Sequence, residues 1–368
     1  MNKLVKKLML VAAMLMLAAG PSFAADAIRI GLMCPLTGKW ASEGQDMQQI
    51  VSLLVSEVNK AGGINGKQIE LIVEDDAGDP RTASLAAQKL ASAGVMAVIG
   101  TYGSAVTEAS QNIIDEAEIM QIATGSTSVR LTEKGLPLFF RTCPRDDEQG
   151  RVASKVIAAK GFKKVAILHD NSAYAKGLKD AGVPVVFYDA LTPSERDYTA
   201  ILTKLKAADP DLIFFTGYYP EAGMLLRQKK EMHWDVPMMG GDAANNTDLV
   251  KIAGKDAAKG YFFISPPSAH DFDTPEAKDF FSRYKAQYNS LPSSVWSVLA
   301  GDAFKVIVAA LQAGTDANPE AVAKYLKKDL KEYPGLTGKL GFNEKGDRIG
   351  DLYKVYEVDG NGGFVLQK

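Results

Sequence analysis

Two stretches of the chain place small hydroxyl residues where an apolar run gives way to a helical pattern. The first is Val98-Ile-Gly-Thr-Tyr-Gly-Ser-Ala-Val-Thr107. There Gly103 permits close backbone approach, and Ser104 is of a type that caps helices. The second, Ile122-Ala-Thr-Gly-Ser-Thr127, follows the next apolar run. A helix N-terminus with free N–H groups and a hydroxyl suits a carboxylate. Taken alone, Ser104 reads as an ordinary cap; a second cluster beside it makes a polar floor for one small zwitterion. Further along, Asp170-Asn-Ser-Ala-Tyr174, Thr216-Gly-Tyr-Tyr-Pro-Glu221 and Gly240-Gly-Asp242 each end an apolar run. Tyrosines so placed, Tyr174 and Tyr218, can cover an apolar ligand and offer a hydroxyl. Asp242 can meet an ammonium through a charge-assisted bond of about 1.5–3 kcal/mol. Equally, it can cap the segment toward Asn245, and both readings stay open.

Catalytic signatures are missing. Gly31-Leu-Met-Cys-Pro-Leu-Thr-Gly-Lys39 looks like a phosphate loop, but six residues separate its glycines and Trp40 follows the Lys. A phosphate loop needs four residues there, then Lys and Ser or Thr. No G-x-G-x-x-G, G-x-S-x-G or H-E-x-x-H occurs. His169, His233 and His270 are scattered, and the acids beside His270 (Asp271, Asp273) fit a solvated loop. The expectation is therefore no enzyme, no cofactor and no metal.

The elements that must position these residues alternate in period. Strand-like runs at 27–33, 68–73, 95–99, 119–123 and 138–141 are separated by helical patterns. Past Arg145 the rhythm restarts, with strands at 165–168, 183–188, 212–216, 236–239 and 260–264. Three helices fill 275–330, and strands near 338–342 and 353–358 close the chain. Such alternation predicts an α/β protein of two similar lobes, each a parallel sheet flanked by helices. Ligands bind such sheets beyond the carboxyl ends of the strands, where the hydroxyl clusters fall.

Residues 1–24 have the order of a cleaved secretory signal: Lys3, Lys6 and Lys7, an apolar run from Leu8 to Ala19, then Ser22-Phe-Ala24. Without them the formal charge of −2 becomes about −5 over 344 residues, which disfavours nucleic acid. No second long apolar run is expected to hold the mature part in a membrane. Cys34 and Cys143 could pair after export, but small buried thiols are the reading taken.

Six segments, in order, carry a resemblance: "IRIGLMCPLTG", "VNKAGGINGKQIELIVEDDAGDP", "FFRTCPRDDEQG", "AILHDNSAYAKG", "FFTGYYPEAG" and "MMGGDAAN". Over essentially its whole mature length the chain resembles the periplasmic leucine/isoleucine/valine-binding proteins of ABC importers. The resemblance implies the type I periplasmic-binding-protein fold, with two lobes joined by three hinge crossings that close on a free amino acid. Residues 25–143 and 267–337 would form lobe 1; 144–266 and 338–368 would form lobe 2. Crossings are expected near 141–145, 265–267 and 333–338. By motif, Ser104 and Thr127 would hold the ligand carboxylate, while the Gly125 carbonyl and the Thr127 hydroxyl would take its ammonium. Tyr174, Tyr218 and Asp242 would close from lobe 2, and Tyr102 would line the side-chain pocket.

The implied partners are a free amino acid and permease subunits in the inner membrane, with the chain a monomer in the periplasm. Well-known members carry Glu where Asp242 stands, a cysteine pair where this chain has Gly78 and Gly103, and often an aromatic at Glu43. A more polar or aromatic ligand than a branched-chain one is thus conceivable. The span between Tyr174 and Val183 is short for the family's helix, which should uncover part of the second sheet. Alternatives are a sensor of amides or urea with the same fold, and an exported enzyme with a dispersed site.

Overall fold

The computed structural model describes residues 27–172 and 185–367. Two sheets dominate. The first contains β1 (Ile28–Cys34), β2 (Ile69–Asp75), β3 (Ala97–Ile99), β4 (Met120–Ala123) and β5 (Phe139–Arg141), all parallel in the order β2-β1-β3-β4-β5. Its central strands are buried on both faces because helices cover both. Those helices are α1 (Ala41–Lys60), α2 (Pro80–Ser92) and α3 (Ser104–Glu116). Local chemistry fixes where α2 starts. Asp79 accepts from the backbone of Arg81 and Thr82, and Pro80 supplies a helical φ at the first position.

Past β5, α4 (Asp146–Lys160) leads into the second sheet. This sheet holds β6 (Val165–His169), β7 (Val185–Ala190), β8 (Leu212–Thr216), β9 (Met238–Gly240) and β10 (Phe262–Ser265) in parallel. Helices α5 (Thr199–Ala207) and α6 (Tyr219–Glu231) connect its strands. The chain then returns to the first sheet through α7 (Pro275–Tyr288), α8 (Val295–Gln312) and α9 (Pro319–Lys328); α8 packs along α1. A small hairpin, β11 (Tyr333–Gly335) with β12 (Gly338–Leu340), rests on α7 and α8. Finally β13 (Lys354–Val358) and β14 (Phe364–Leu366) add antiparallel to β10, giving the order β14-β13-β10-β9-β8-β6-β7.

One expectation needs correction. Helix α8 is 18 residues long with mean hydropathy 1.4, long and apolar enough by those measures to cross a membrane. It is instead a core helix, with 83% of that window buried. The thiols of Cys34 and Cys143 are free and buried, and burial pushes Cys143 up to about 12. The residues expected to form a signal segment, Tyr174, and those expected to form a shortened helix lie outside the described residues. Beside the last of these, β7 exposes Val185, Val186 and Tyr188.

Candidate ligand-binding site

The site grows from the ends of adjacent strands β3 and β4. Beyond β3, Gly100–Gly103 feeds α3; beyond β4, Thr124–Ser128 turns back alongside it. Hydroxyls bind the two loops together. Thr107 Oγ1 lies 2.6 Å from both Thr101 Oγ1 and Ser126 Oγ, and Ser104 Oγ accepts from the Ser128 N–H at 3.2 Å. Gly125 is required where it stands, because a Cβ there would lie 2.6 Å from Tyr102 Cδ2 and 2.9 Å from the Tyr102 carbonyl. Its hydrogen lets the Tyr102 ring fold over the loop. Tyr102 is 1% exposed, and its hydroxyl has no partner.

The apparent phosphate loop after β1 is spoken for. Leu36 N and Thr37 N donate to Asp75 Oδ1 at 2.9 and 3.3 Å, and Thr37 Oγ1 donates to Asp75 Oδ2 at 2.6 Å. The amides a phosphate would need are spent on a carboxylate at the end of β2.

From the second sheet come acids and tyrosines. Asp242, at the end of β9, accepts from the Tyr353 hydroxyl at 2.8 Å. Gln149 of α4 donates to that same hydroxyl at 3.2 Å. Asp146, the first residue of α4, hangs its backbone N–H on the Thr127 carbonyl at 3.0 Å. Its side chain is fully buried, and neither carboxylate oxygen has a hydrogen-bond partner of good geometry; nor has the Thr127 hydroxyl. Burial, then the charge of Asp242, push the Asp146 carboxyl well up, while nearby Thr127 and Arg141 pull the other way. Two acids and a hydroxyl thus converge in a dry space with unmet capacity for a cation that donates hydrogen bonds. Among the described residues, no group of His, Cys, Asp or Glu is arranged to hold a metal.

Tyr218, at the start of α6, reaches across to the first sheet. Its ring is 4.3 Å from Trp40 and 5.8 Å from Tyr102. Burial and surrounding acids push its hydroxyl well up, and the Ser104 backbone N–H beside it opposes this. Other contacts hold the two sides together at residues 39–43. Tyr219 Oη donates to the Lys39 carbonyl at 3.1 Å, Lys39 pairs with Glu221 at 3.6 Å, and Asn246 donates to Glu43 at 2.7 Å. Ser294 caps α8 and donates to the other Glu43 oxygen. Glu43 is completely buried there, and burial pushes its carboxyl up to about 8 against those two hydrogen bonds. Near the passage out of β5, Asp347 bridges Arg141 and Arg145, each at 2.8 Å.

A polar floor on one sheet, acids and tyrosines on another, and contacts drawing them shut describe a cleft that closes on a small solute. The model of the family described as "Periplasmic binding protein" matches residues 27–363. The chain belongs to that family. It is 37% identical to a leucine-, isoleucine-, valine-, threonine- and alanine-binding protein of Pseudomonas aeruginosa, over 92% of each chain. It is 36% identical to a Leu/Ile/Val-binding protein of Rhizobium johnstonii, over 93% of this chain and 94% of that one. Among solved structures it is similar to LivJ of Streptococcus pneumoniae, crystallised with isoleucine: TM-score 0.84, 31% identity, 93% of this chain and 100% of that one. It is also similar to the leucine-binding LivK of Thermotoga maritima, with TM-score 0.85, 25% identity, and 93% and 98% covered.

Of the residues singled out by sequence, Tyr102, Ser104, Gly125, Thr127, Tyr218 and Asp242 fall in this one cleft; Tyr174 lies outside the described residues. Asp146 was missed. It sat inside the quoted "FFRTCPRDDEQG", at a strand-to-helix junction like that of Ser104, but the adjacent Asp147 offers the same chemistry and only packing tells them apart. Trp40 was missed as well. Its six-membered ring lies over Gly78 and Gly103, where a Cβ would come within 2.6 and 2.8 Å of ring carbons. The absence of a Cβ at both glycines clears the space for the indole.

Proposed function

We propose that this chain is a periplasmic receptor that captures a free α-amino acid by closure of its two lobes and delivers it to an ABC importer. The observation that carries this reading is the group of buried polar atoms at the meeting of the two sheets: both Asp146 carboxylate oxygens, with only the Thr127 hydroxyl close by and no hydrogen bond of good geometry, beside Asp242. An α-ammonium offers three donors to this group. The α-carboxylate goes to the N-terminus of α3 at Ser104, where it takes the Ser104 N–H from the Tyr218 hydroxyl and the helix dipole favours it. Tyr102 and Tyr218 then cover the side chain. The relatives' names and the isoleucine in the LivJ structure support an amino acid as the cargo.

Lobe 1 comprises residues 25–143 and 267–337, lobe 2 residues 144–266 and 338–368, and cleavage near Ala24 releases the mature chain into the periplasm. Closure excludes water, which strengthens the ammonium and carboxylate contacts. The closed monomer docks on permease subunits in the inner membrane, and no catalytic step is involved. Titration calorimetry of the mature chain with the free amino acids tests this. Binding of one group at micromolar Kd, about −8 kcal/mol, is expected. A cooperatively folding protein that binds none of them refutes it.

A further inference from the structure

The side-chain end of the cleft holds more hydrogen-bonding groups than an aliphatic ligand can use. Trp40 is 5% exposed and Tyr102 1%, yet the indole N–H of one and the hydroxyl of the other meet no partner. The direction of the Trp40 N–H follows from its packing. Ring atoms Cε3, Cζ3 and Cη2 face Gly78 and Gly103, so the pyrrole edge points away from the first sheet's backbone. Tyr218 closes over Trp40 from the second sheet with ring centroids 4.3 Å apart. Trp296, whose indole N–H is also buried without a partner, stands 6.2 Å behind Tyr102.

An indole N–H only donates, so it can be met only by an acceptor. A buried donor covered by an alkyl group stays unsatisfied and costs roughly a tenfold to hundredfold loss of binding. Charged side chains fare worse. A cation accepts nothing, and the Lys39 ammonium already lies over the Trp40 ring, 4.7 Å from its centroid. An anion would meet Glu43, Asp146 and Asp242 in the same dry space, with Lys39 already committed to Glu221. Length is limited too, because the Trp40–Tyr218 separation leaves no thickness for a methylene between the rings.

We infer that the cleft selects an amino acid with a short, neutral, acceptor-bearing side chain, a hydroxyl or carboxamide, over its aliphatic isostere. Trp40 and Tyr102 are the residues that choose. This inference rests on the amino-acid reading of the same cleft and goes beyond it by naming the side-chain class.

Threonine and valine differ by a hydroxyl against a methyl at nearly equal volume, and asparagine and leucine form a second such pair. Calorimetric titration of the mature chain with these four is expected to show threonine or asparagine bound at least about tenfold more tightly than its partner. Trp40→Phe, which keeps a ring but loses the N–H, and Tyr102→Phe are each expected to shrink that ratio by about fivefold or more. Valine and leucine bound as tightly as threonine and asparagine would overturn the inference while leaving the amino-acid reading standing. So would a ratio unchanged in both variants. No binding of any amino acid by the folded protein would overturn both. Should Trp40→Phe fail to fold, the wild-type isostere ratios and Tyr102→Phe still decide.

Discussion

Asp146→Asn keeps the shape of the side chain at the floor of the cleft and removes its ability to ionise. In the unliganded protein Asp146 is buried beside Asp242, with neither oxygen well bonded, so its carboxyl is pushed well above the ordinary range. A ligand ammonium between the two acids reverses this and favours the carboxylate. One charge-assisted hydrogen bond contributes about 1.5–3 kcal/mol, so losing it should weaken binding about 10- to 150-fold. The unliganded variant should melt no lower than wild type, because burial and Asp242 already disfavour the charged carboxylate that Asn cannot form. There is also a proton signature. Burial and Asp242 raise the Asp146 pKa and a bound ammonium lowers it, so binding should release protons and wild-type affinity should rise with pH. Calorimetry in phosphate and in Tris, whose ionisation enthalpies differ, reads that proton directly. Asp146→Asn should bind with less proton release as well as lower affinity. Affinity within threefold of wild type, with the same buffer dependence, would refute the assignment of Asp146 to the ammonium.

Glu43 should give the opposite slope. Its carboxyl is pushed up to about 8 in the closed cleft, so the stability of that state is fully present below the ordinary carboxyl pKa, is lost as pH rises from there to about 8, and falls no further above it. Glu43→Gln should flatten the decline of affinity between about pH 5 and 8, as titrations across that range would show. Beyond β5, burial pushes the Asp347 carboxyl up but Arg141 and Arg145 outweigh it and hold it low. That stabilisation is present above the ordinary carboxyl pKa and lost as pH falls through the lowered value. Asp347→Asn should lower Tm by roughly 5–15 °C at neutral pH, a gap that narrows in acid in a thermal melt. Gly103→Ala puts a methyl 2.8 Å from Trp40 Cζ3. It should shift tryptophan fluorescence and weaken binding about tenfold, and the double variant with Trp40→Ala should remove the clash but leave the wall open.

Much of this architecture is legible without coordinates because parallel strands buried on both faces must be short apolar runs. Ile28–Cys34, Leu212–Thr216 and Phe262–Ser265 announce themselves that way. The hairpin Tyr333–Gly335 and the last strand Phe364–Leu366 do not, being three residues each and half-exposed. Helix Val295–Gln312 is expected as one of three helices over 275–330, but its packing is not legible in the sequence. Burial on every side erases the polar stripe by which an amphipathic helix is recognised. Within the site, Ser104, Thr127, Tyr218 and Asp242 share one mark, a polar residue just past an apolar strand. Trp40 lacks it, since its place depends on the absence of a Cβ at Gly78 and Gly103, residues 38 and 63 positions further along the chain.

The division of chemistry between the sheets explains why closure should await a ligand. The first sheet offers hydroxyls and helix N–H groups, which are neutral and pay little for losing water. Asp146 and Asp242 are different, because drying two like charges without a counter-ion is costly, and the raised pKa of Asp146 is the mark of that cost. The contacts at residues 39–43 act in the other direction: Lys39 with Glu221, Tyr219 with the Lys39 carbonyl and Asn246 with Glu43 all favour the shut form. Set against each other, these terms leave the empty cleft with opposed tendencies and the filled one with none. An ammonium cancels the repulsion between the acids without disturbing the contacts at the lip. A neutral ligand of the same size would leave the Asp146 pKa raised and the repulsion uncancelled, and the closed state would gain only from buried area.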